Sequence, residues 1–433
     1  MFLPCIDFYR YVRVKAGLVV MHVLFLADNF PPETNAPASR TYEHCKRWVE
    51  SGVEVTVITC VPNFPTGRVF GGYENKLIQE ENMNGIRVIR VWTFLAPNSG
   101  FLGRTIDYSS FMISAFFASF KVRNIDCIVG TSPQFFTACA AYLVSIFRRK
   151  PWVFELRDLW PETITTVGAM DNGRIISLLE RLELFLYRKS SLIVSVTESF
   201  KADLVKRRIA EKKIVVVRNG VDLTSFGKIQ KDQKLISELS LSDQFIVGYI
   251  GTHGLCQSLE VLVNAAARIQ SEHPDLAITF LFLGDGARKQ HLRDLVSRKN
   301  LTNVLFLNSV SRAEVCRYWS IVDVAVVHLS DDPAFLKVIP SKIFEAMAMG
   351  VPLLHGVPGE SQKLLNDVRC ARFFEPENDK QLASEIKHLL NSPDELDVMS
   401  QRGIMAASEY SRERLADDML VHLRHLTEKR ELV

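Results

Sequence analysis

The strongest constraint on this chain is one pattern that occurs twice: short apolar runs of strand length, separated by helical stretches. HVLFLA (22–27), VEVTVITC (53–60), IRVIRVW (86–92), CIVGTS (127–132), WVFEL (152–156), LIVSVT (192–197) and KIVVV (213–217) form the first series. A polar stretch at 222–243 interrupts it. FIVGYIG (245–251), AITFLFLGDG (277–286), VLFLNSV (304–310), VAVVHL (324–329) and VPLLHG (351–356) form the second. Apolar runs without polar alternation are strands buried on both faces, so each series predicts a parallel sheet covered by helices. The fold class is therefore α/β, with two Rossmann-like, doubly wound domains facing across a cleft. Their expected extents are 21–226 and 244–433, joined by a linker at 227–243, with the last helix returning to the N-terminal domain. Residues 1–20 read as a poorly ordered extension, with Met21 an alternative to Met1 as the start, because Asp7, Arg10, Arg13 and Lys15 break the apolar stretches a leader needs. Ligands of such sheets lie beyond the carboxyl ends of the strands, and the chemistry is expected there.

Charge and composition narrow the function classes. Against 52 Lys+Arg stand 49 Asp+Glu, a net charge of +3, which gives no support to coating a nucleic acid. Residues 1–230 hold 29 Lys+Arg against 21 Asp+Glu, so the basic surplus sits in the N-terminal half. The eight cysteines form no C-x-x-C and have no His at zinc-finger spacing, so they read as reduced thiols of a cytosolic protein. The ten histidines form no ligand-spaced cluster and no Asp-x-Asp occurs, so no metal and no cofactor are expected. FLGDG (282–286) is followed by Ala287 and Arg288, which leaves G-x-G-x-x-G incomplete and argues against NAD.

Two segments depart from globular habit. IDYSSFMISAFFASFKVRN (106–124) is Phe-rich and nearly uncharged until Lys121 and Arg123, and TACAAYLVSIFRRK (137–150) ends in a basic cluster. Neither reaches the roughly 20 apolar residues a membrane span needs. They fit either buried helices or an interfacial surface with basic residues set for anionic lipid, and the surplus of basic residues over 101–150 favours the membrane.

The segment VIPSKIFEAMAMGVPLL (338–354) carries the most chemistry. Pro340 and Ser341 open a helix and Gly350 closes it. A helix N-terminus offers free N–H groups and the positive end of the dipole, which suits a diphosphate, and Lys342 adds charge there. Glu345 projects from the same face and can accept two hydrogen bonds from a ribose diol. By spacing alone, these residues fit an ordinary capped helix equally well.

PSKIFEAMAMGVP resembles the nucleotide-sugar signature of glycosyltransferase family four, the retaining GT-B enzymes, and within it a bacterial surface-polysaccharide branch of fucosamine and colanic-acid fucose transferases. FLADNFPPETNAPASR (25–40), VPNFPTGRVFGGYENK (61–76), ELRDLWPE (155–162), RNGVDLTSF (218–226), GYIGTHGLCQSLE (248–260), FLGDG and GVPGES (356–361) agree with it, in order, over about residues 21–425. The resemblance implies that Glu345 binds the ribose hydroxyls. Ser341, Lys342 and the loop from Gly251 through His253 to Gly254 would surround the diphosphate, and Ser309 and Val310 would meet the base. From the N-terminal domain Arg40, Asn35 and the Arg157–Asp158 pair would reach into the cleft, Arg40 toward the donor and Asn35 and Arg157 on the acceptor side. Asp158 is the candidate assisting base and Lys342 the group that stabilises the leaving diphosphate. Two departures stand out. Lys337 occupies the position eight before Glu345 where the family's other Glu is usual, and the Gly251–Gly254 loop lacks the Arg and Lys of many relatives. Positive charge would then come from Lys342, Lys337 or Arg40.

The expected activity is metal-independent retaining transfer of a sugar, such as a UDP-linked N-acetyl 6-deoxyhexosamine, from its nucleotide diphosphate. The expected partners are that nucleotide-sugar donor, a lipid-diphosphate-linked saccharide acceptor of O-antigen or capsule synthesis, and the membrane surface at the inner face of the cell membrane. The alternatives are a nucleotide-sugar epimerase of the same fold and a non-catalytic nucleotide-sugar-binding scaffold.

Overall fold

The computed structural model describes residues 20–64, 67–95, 101–159 and 173–431. The expected extension, apart from Val20, and positions 160–162 of ELRDLWPE lie outside the described residues. The first sheet has eight strands: β1 (His22–Leu26), β2 (Glu54–Cys60), β3 (Ile78–Met83), β4 (Ile86–Val91), β5 (Cys127–Thr131), β6 (Trp152–Leu156), β7 (Leu192–Ser195) and β8 (Ile214–Val216). Their order is β3-β4-β2-β1-β5-β6-β7-β8, parallel throughout except for β3 against β4. Sequence reading passed over β3, because IQEENM is polar, as an edge strand is. The signal lay in the turn: Asn84 and Gly85 have φ of 49° and 85°, the pair of positive values a tight hairpin demands.

The second sheet contains β9 (Phe245–Ile250), β10 (Ile278–Leu283), β11 (Val304–Leu307), β12 (Val324–His328), β13 (Leu353–Gly356) and β14 (Ala371–Phe373). It is parallel in the order β11-β10-β9-β12-β13-β14. The three-residue β14 was too short to read from sequence. Each sheet reverses its strand order once, between β1 and β5 and between β9 and β12. The stretch 227–243 is packed chain: a helix at Gln233–Glu238 is capped by Asp232, and Leu235 and Leu241 are buried in the second core.

Helix α1 (Ala36–Glu50) starts at Asn35, whose side-chain oxygen accepts from Ala38 N at 2.9 Å, and buries Trp48 beneath the first sheet. The C-terminal helix Arg412–Glu431 crosses back to the same face. Its Leu415, Ala416, Met419, Leu420 and Leu423 join the cluster of Val23, Phe25 and Trp48. Each of its large apolar side chains contributes about 1.5–3 kcal/mol. Trp48 Nε1 donates to the Ala416 carbonyl at 2.8 Å, and Arg47 grips Asp417 through two bonds of 2.8 and 2.7 Å. The last helix therefore ties the second domain onto the first.

Helices α2 (Phe101–Ala118) and α3 (Phe135–Arg148) pack against each other on the opposite face of the first sheet. Phe111, Ala115 and Ala118 turn inward, while Phe117 and Phe147 remain 64% and 63% exposed. Phe116 makes edge-on contacts with Phe117, Phe120 and Phe147 at 5.2–5.4 Å. Arg148 donates to the carbonyls of Ser119 and Val122, and Lys150 pairs with Asp126 at 3.5 Å, so part of the basic cluster holds structure. Among the described residues no helix is long and apolar enough to cross a membrane.

Candidate active site in the interdomain cleft

A large cavity of about 1040 Å³ lies between the two sheets. Its lining includes Asn29, Pro133, Arg157, Thr197, Thr252 and Leu329, which follow β1, β5, β6, β7, β9 and β12. The cavity thus lies at the carboxyl edge of both sheets and across both strand-order reversals, where open α/β sheets bind ligands.

From the second domain, helix Lys342–Met349 points its first turn into this cavity through Pro340, Ser341 and Lys342. Lys342 Nζ sits 3.8 Å from the centre of the Tyr249 ring. Among the described residues no hydrogen bond or ion pair engages it. Burial pulls its ammonium down to about 7, against the opposing pull of Glu345. The loop after β9 runs beside Lys342, whose Nζ stands 2.8 Å from where a Cβ on Gly251 would be, and the φ of 140° at Gly251 is what calls for glycine there. Sequence reasoning placed Ser341, Lys342 and Gly251 together, and the structure brings them together.

Across the cleft, Arg157 and Asp158 follow β6 and line the same cavity. Arg157 is 9% exposed, and among the described residues its Nε and Nη1 have no hydrogen-bond partner. Burial lowers its pKa to about 10. Burial also raises Asp158, opposed by Arg157, so its carboxyl holds a proton more readily than usual. Asn35 lines the cleft, but its amide is spent locally, capping α1 and donating to Asn29 Oδ1 at 2.6 Å.

Several expectations require correction. Arg40 does not reach the donor. It is 1% exposed, pairs with Glu155 at 2.9 Å and donates to the carbonyls of Arg218 and Val217. His253 supplies no charge, because it is fully buried beside Tyr249, Phe282 and Phe306. Burial, with Lys289 and Lys342 nearby, drops its pKa to about 4. Gly254 is outside the cavity lining, and its N–H donates to Gln257 Oε1 at 3.0 Å. Lys337 also lies outside the lining and pairs with Asp203 of the first domain at 3.4 Å, making it an interdomain strut. Ser309 and Val310 follow β11 at the sheet edge, Ser309 exposed and Val310 packed on the second core, away from the large cavity.

Glu345 is half-buried one turn beyond Lys342 and is not part of the large cavity's lining. Burial raises its pKa against the fields of Arg412, Arg312 and Lys342. Those two arginines share Glu43 of α1 and line a second cavity of about 350 Å³. Sequence reading missed two contributions to the cleft. One is Lys289, behind the lining itself, which binds the carbonyls of Gly284 and Leu307 and thereby ties the loop after β10 to the end of β11. The other is an apolar wall of Phe136, Ile175, Leu179 and Phe200. Its signal was the i, i+4 spacing of Ile175 and Leu179 on one helix face.

A sequence model described as glycosyltransferase family 4 matches residues 38–225, and one described as glycosyl transferases group 1 matches residues 244–392. Together they span more than half of the chain. The chain belongs to the family 4 type of glycosyltransferase. Spore coat protein SA of Bacillus subtilis is 23% identical to it over 294 residues, 64% of this chain and 77% of that one. Sucrose-phosphate synthase from Thermosynechococcus elongatus superposes with a TM-score of 0.75 at 17% identity, over 94% of this chain and all of that one. HepE of Anabaena, solved with UDP and glucose, superposes with a TM-score of 0.71 at 16% identity, over the same shares. This family 4 glycosyltransferase therefore has the GT-B fold, and its cleft is the place to seek donor and acceptor.

Proposed function

We propose that the chain transfers a sugar from a nucleotide diphosphate sugar to a lipid-diphosphate-linked glycan, with retention of configuration and without a metal. One observation carries this reading: two cations from opposite domains, Lys342 and Arg157, line one cavity, and among the described residues neither forms an ion pair with a carboxylate. Lys342 and the helix head hold the leaving diphosphate and stabilise the charge that develops as the glycosidic bond breaks. Attack from the same face leaves the acceptor proton to the departing phosphate, with Asp158 orienting the acceptor hydroxyl. The likeness to HepE, solved with UDP, supports a nucleotide donor. A UDP-linked N-acetyl 6-deoxy sugar such as fucosamine, and an O-antigen or capsule product, rest on the sequence resemblance alone.

Glu345 tests the donor site. If it accepts hydrogen bonds from the ribose diol, Glu345→Ala weakens nucleotide binding by about 2–3 kcal/mol with the fold intact. Calorimetry with UDP, GDP and dTDP reads this, and unchanged affinity rejects the assignment. Metal independence has its own check: turnover should persist in EDTA. Activity lost to chelation and restored by magnesium or manganese would overturn it.

The apolar wall of the cleft supports a lipid-linked acceptor. Ile175 and Leu179 belong to helix Gly173–Lys189, whose Leu178, Leu182 and Phe185 are exposed, and α2 and α3 present Ile113, Phe117, Ile146 and Phe147. Lys121 and Arg123 lie exposed beside them. This face suits the inner leaflet of the cell membrane, with the isoprenoid stem entering along Ile175 and Leu179. Vesicle binding should rise with anionic lipid and fall only in part at high salt, because apolar insertion is not screened by ions. Flotation that ignores lipid charge, or none at all, would remove the membrane from this reading.

A further inference from the structure

Opening off the acceptor side of the cleft is a small pocket of about 30 Å³, room for one small polar group. Asp28, Glu33 and Asp107 converge on it, with Arg104 and Tyr108 between it and the main cavity. Asp28 and Glu33 come from the loop after β1, in the segment DNFPPE. Asp28 is 9% exposed and Glu33 4%. Each has one oxygen, Oδ1 and Oε2 respectively, buried with no hydrogen-bond partner among the described residues. The other Glu33 oxygen is spent on the backbone N–H groups of Asn63 and Phe64, both at 2.8 Å, which fixes the carboxylate in place. Arg90, the buried cation nearest Glu33, is taken up by Glu81 and the carbonyls of Cys60 and Pro31.

Desolvated carboxyl oxygens without partners cost stability, and three like groups together add repulsion. Burial raises Asp28 well above its usual value, with Asp107 and Glu33 adding to the shift. Burial likewise raises Glu33, and it brings Asp107 to about 6. Carboxyl groups poised in this way give as well as accept hydrogen bonds, which matches a hydroxyl. Among the described residues no acidic or His/Cys cluster has the arrangement of a metal site.

We propose that this pocket binds the hydroxymethyl arm of the acceptor hexose, with Asp28 and Glu33 taking its hydroxyl. The inference rests on the transferase reading of the cleft. The hydroxymethyl is the one arm that projects from a hexopyranose ring, and it fits a pocket of this size while the ring stays in the main cavity beside Tyr108. The pocket thereby selects acceptor hexoses over their 6-deoxy counterparts.

Saturation-transfer NMR on the full chain, with the methyl glycosides of glucose, galactose and mannose and their 6-deoxy forms, tests this directly. At least one hexoside should bind, its 6-deoxy form about tenfold more weakly. Asp28→Asn should abolish that difference without lowering the melting temperature, because a neutral amide of the same shape replaces a carboxyl whose ionised form burial and the neighbouring carboxyls disfavour. Asp107→Asn serves as the second variant, read in the same way. No hexoside binding, no preference over the 6-deoxy form, a preference that survives both substitutions, or a fall in melting temperature in both would overturn the proposal. Failure of the transferase reading itself shows separately, as absence of nucleotide binding by the unsubstituted protein.

Discussion

Lys342→Met should reduce turnover on the order of 10²- to 10³-fold, the effect of removing one preorganised donor to developing charge. The same residue sets a pH dependence whose sign follows from its position. In the empty protein burial holds Lys342 at about 7, so above that pH the amine is largely neutral. A bound diphosphate favours the charged form, so binding takes up a proton and affinity falls as pH rises past about 7. A nucleotide diphosphate sugar is the right probe, because its phosphates have no terminal proton to lose in that range. Calorimetry in buffers of different ionisation heat reads the proton uptake directly, and Lys342→Met should flatten the profile. From this group alone, the empty protein gains stability as pH rises from about 7, because the unfolded chain holds the extra proton. Affinity that does not change across this range would take Lys342 out of the diphosphate site.

Arg40→Ala should cost about 3–5 kcal/mol of stability, the penalty for leaving a buried charge without its partner. Both Arg40 and Glu155 are 1% exposed, and they bond at 2.9 Å. Burial works to raise the pKa of Glu155, but Arg40 and Arg157 prevail and hold its carboxylate below the usual range. The pair also bears on the cleft. Arg40 takes up Glu155 Oε1, and among the described residues the neighbouring Arg157 keeps Nε and Nη1 available to ligand. Once Arg40 is lost, Arg157 is the remaining cation that acts strongly on Glu155 among the described residues and is drawn toward it, so activity falls along with stability. Chemical denaturation measures the first effect, and Arg40→Met with Glu155→Met should recover much of it, since apolar residues of similar volume replace the pair. A loss below about 1 kcal/mol from Arg40→Ala would mean the pair is not the buried anchor described here.

The cleft's basic residues show why part of the site was legible and part was not. Lys342 could be read because its role depends on local order: Pro340 and Ser341 start the helix, a lysine follows at its head, and Gly350 ends it with φ of 69°. Arg40 could not be read. It stands in a segment that resembles the family as well as Lys342 does, and only the approach of β6 and of the backbone at Val217 and Arg218 commits its guanidinium to the interior. His253 could not be read either: the resemblance places its loop at the diphosphate, while the aromatic rings of β10 and β11 close over the side chain. Lys337, near in sequence to the site, is claimed by Asp203 from the other domain.

The sequence by itself determined most of the strands and their gathering into two mainly parallel sheets, because burial on both faces imposes apolar runs whose length and spacing are local properties, whereas the polar edge strand β3 and the three-residue β14 carry no such run. It also determined the helix head at Ser341 and Lys342, since caps and dipoles act within one turn. Tertiary structure alone decided which charged groups remain free for ligand. A guanidinium or carboxylate reaches across several strands, and whether it meets a partner depends on residues more than 100 positions away, as with Arg40 and Glu155. Arg157 and the carboxyl pocket at Asp28 arise in the same way: chain segments distant in sequence surround these groups with protein and, among the described residues, leave Arg157 Nε and Nη1, Asp28 Oδ1 and Glu33 Oε2 without a partner.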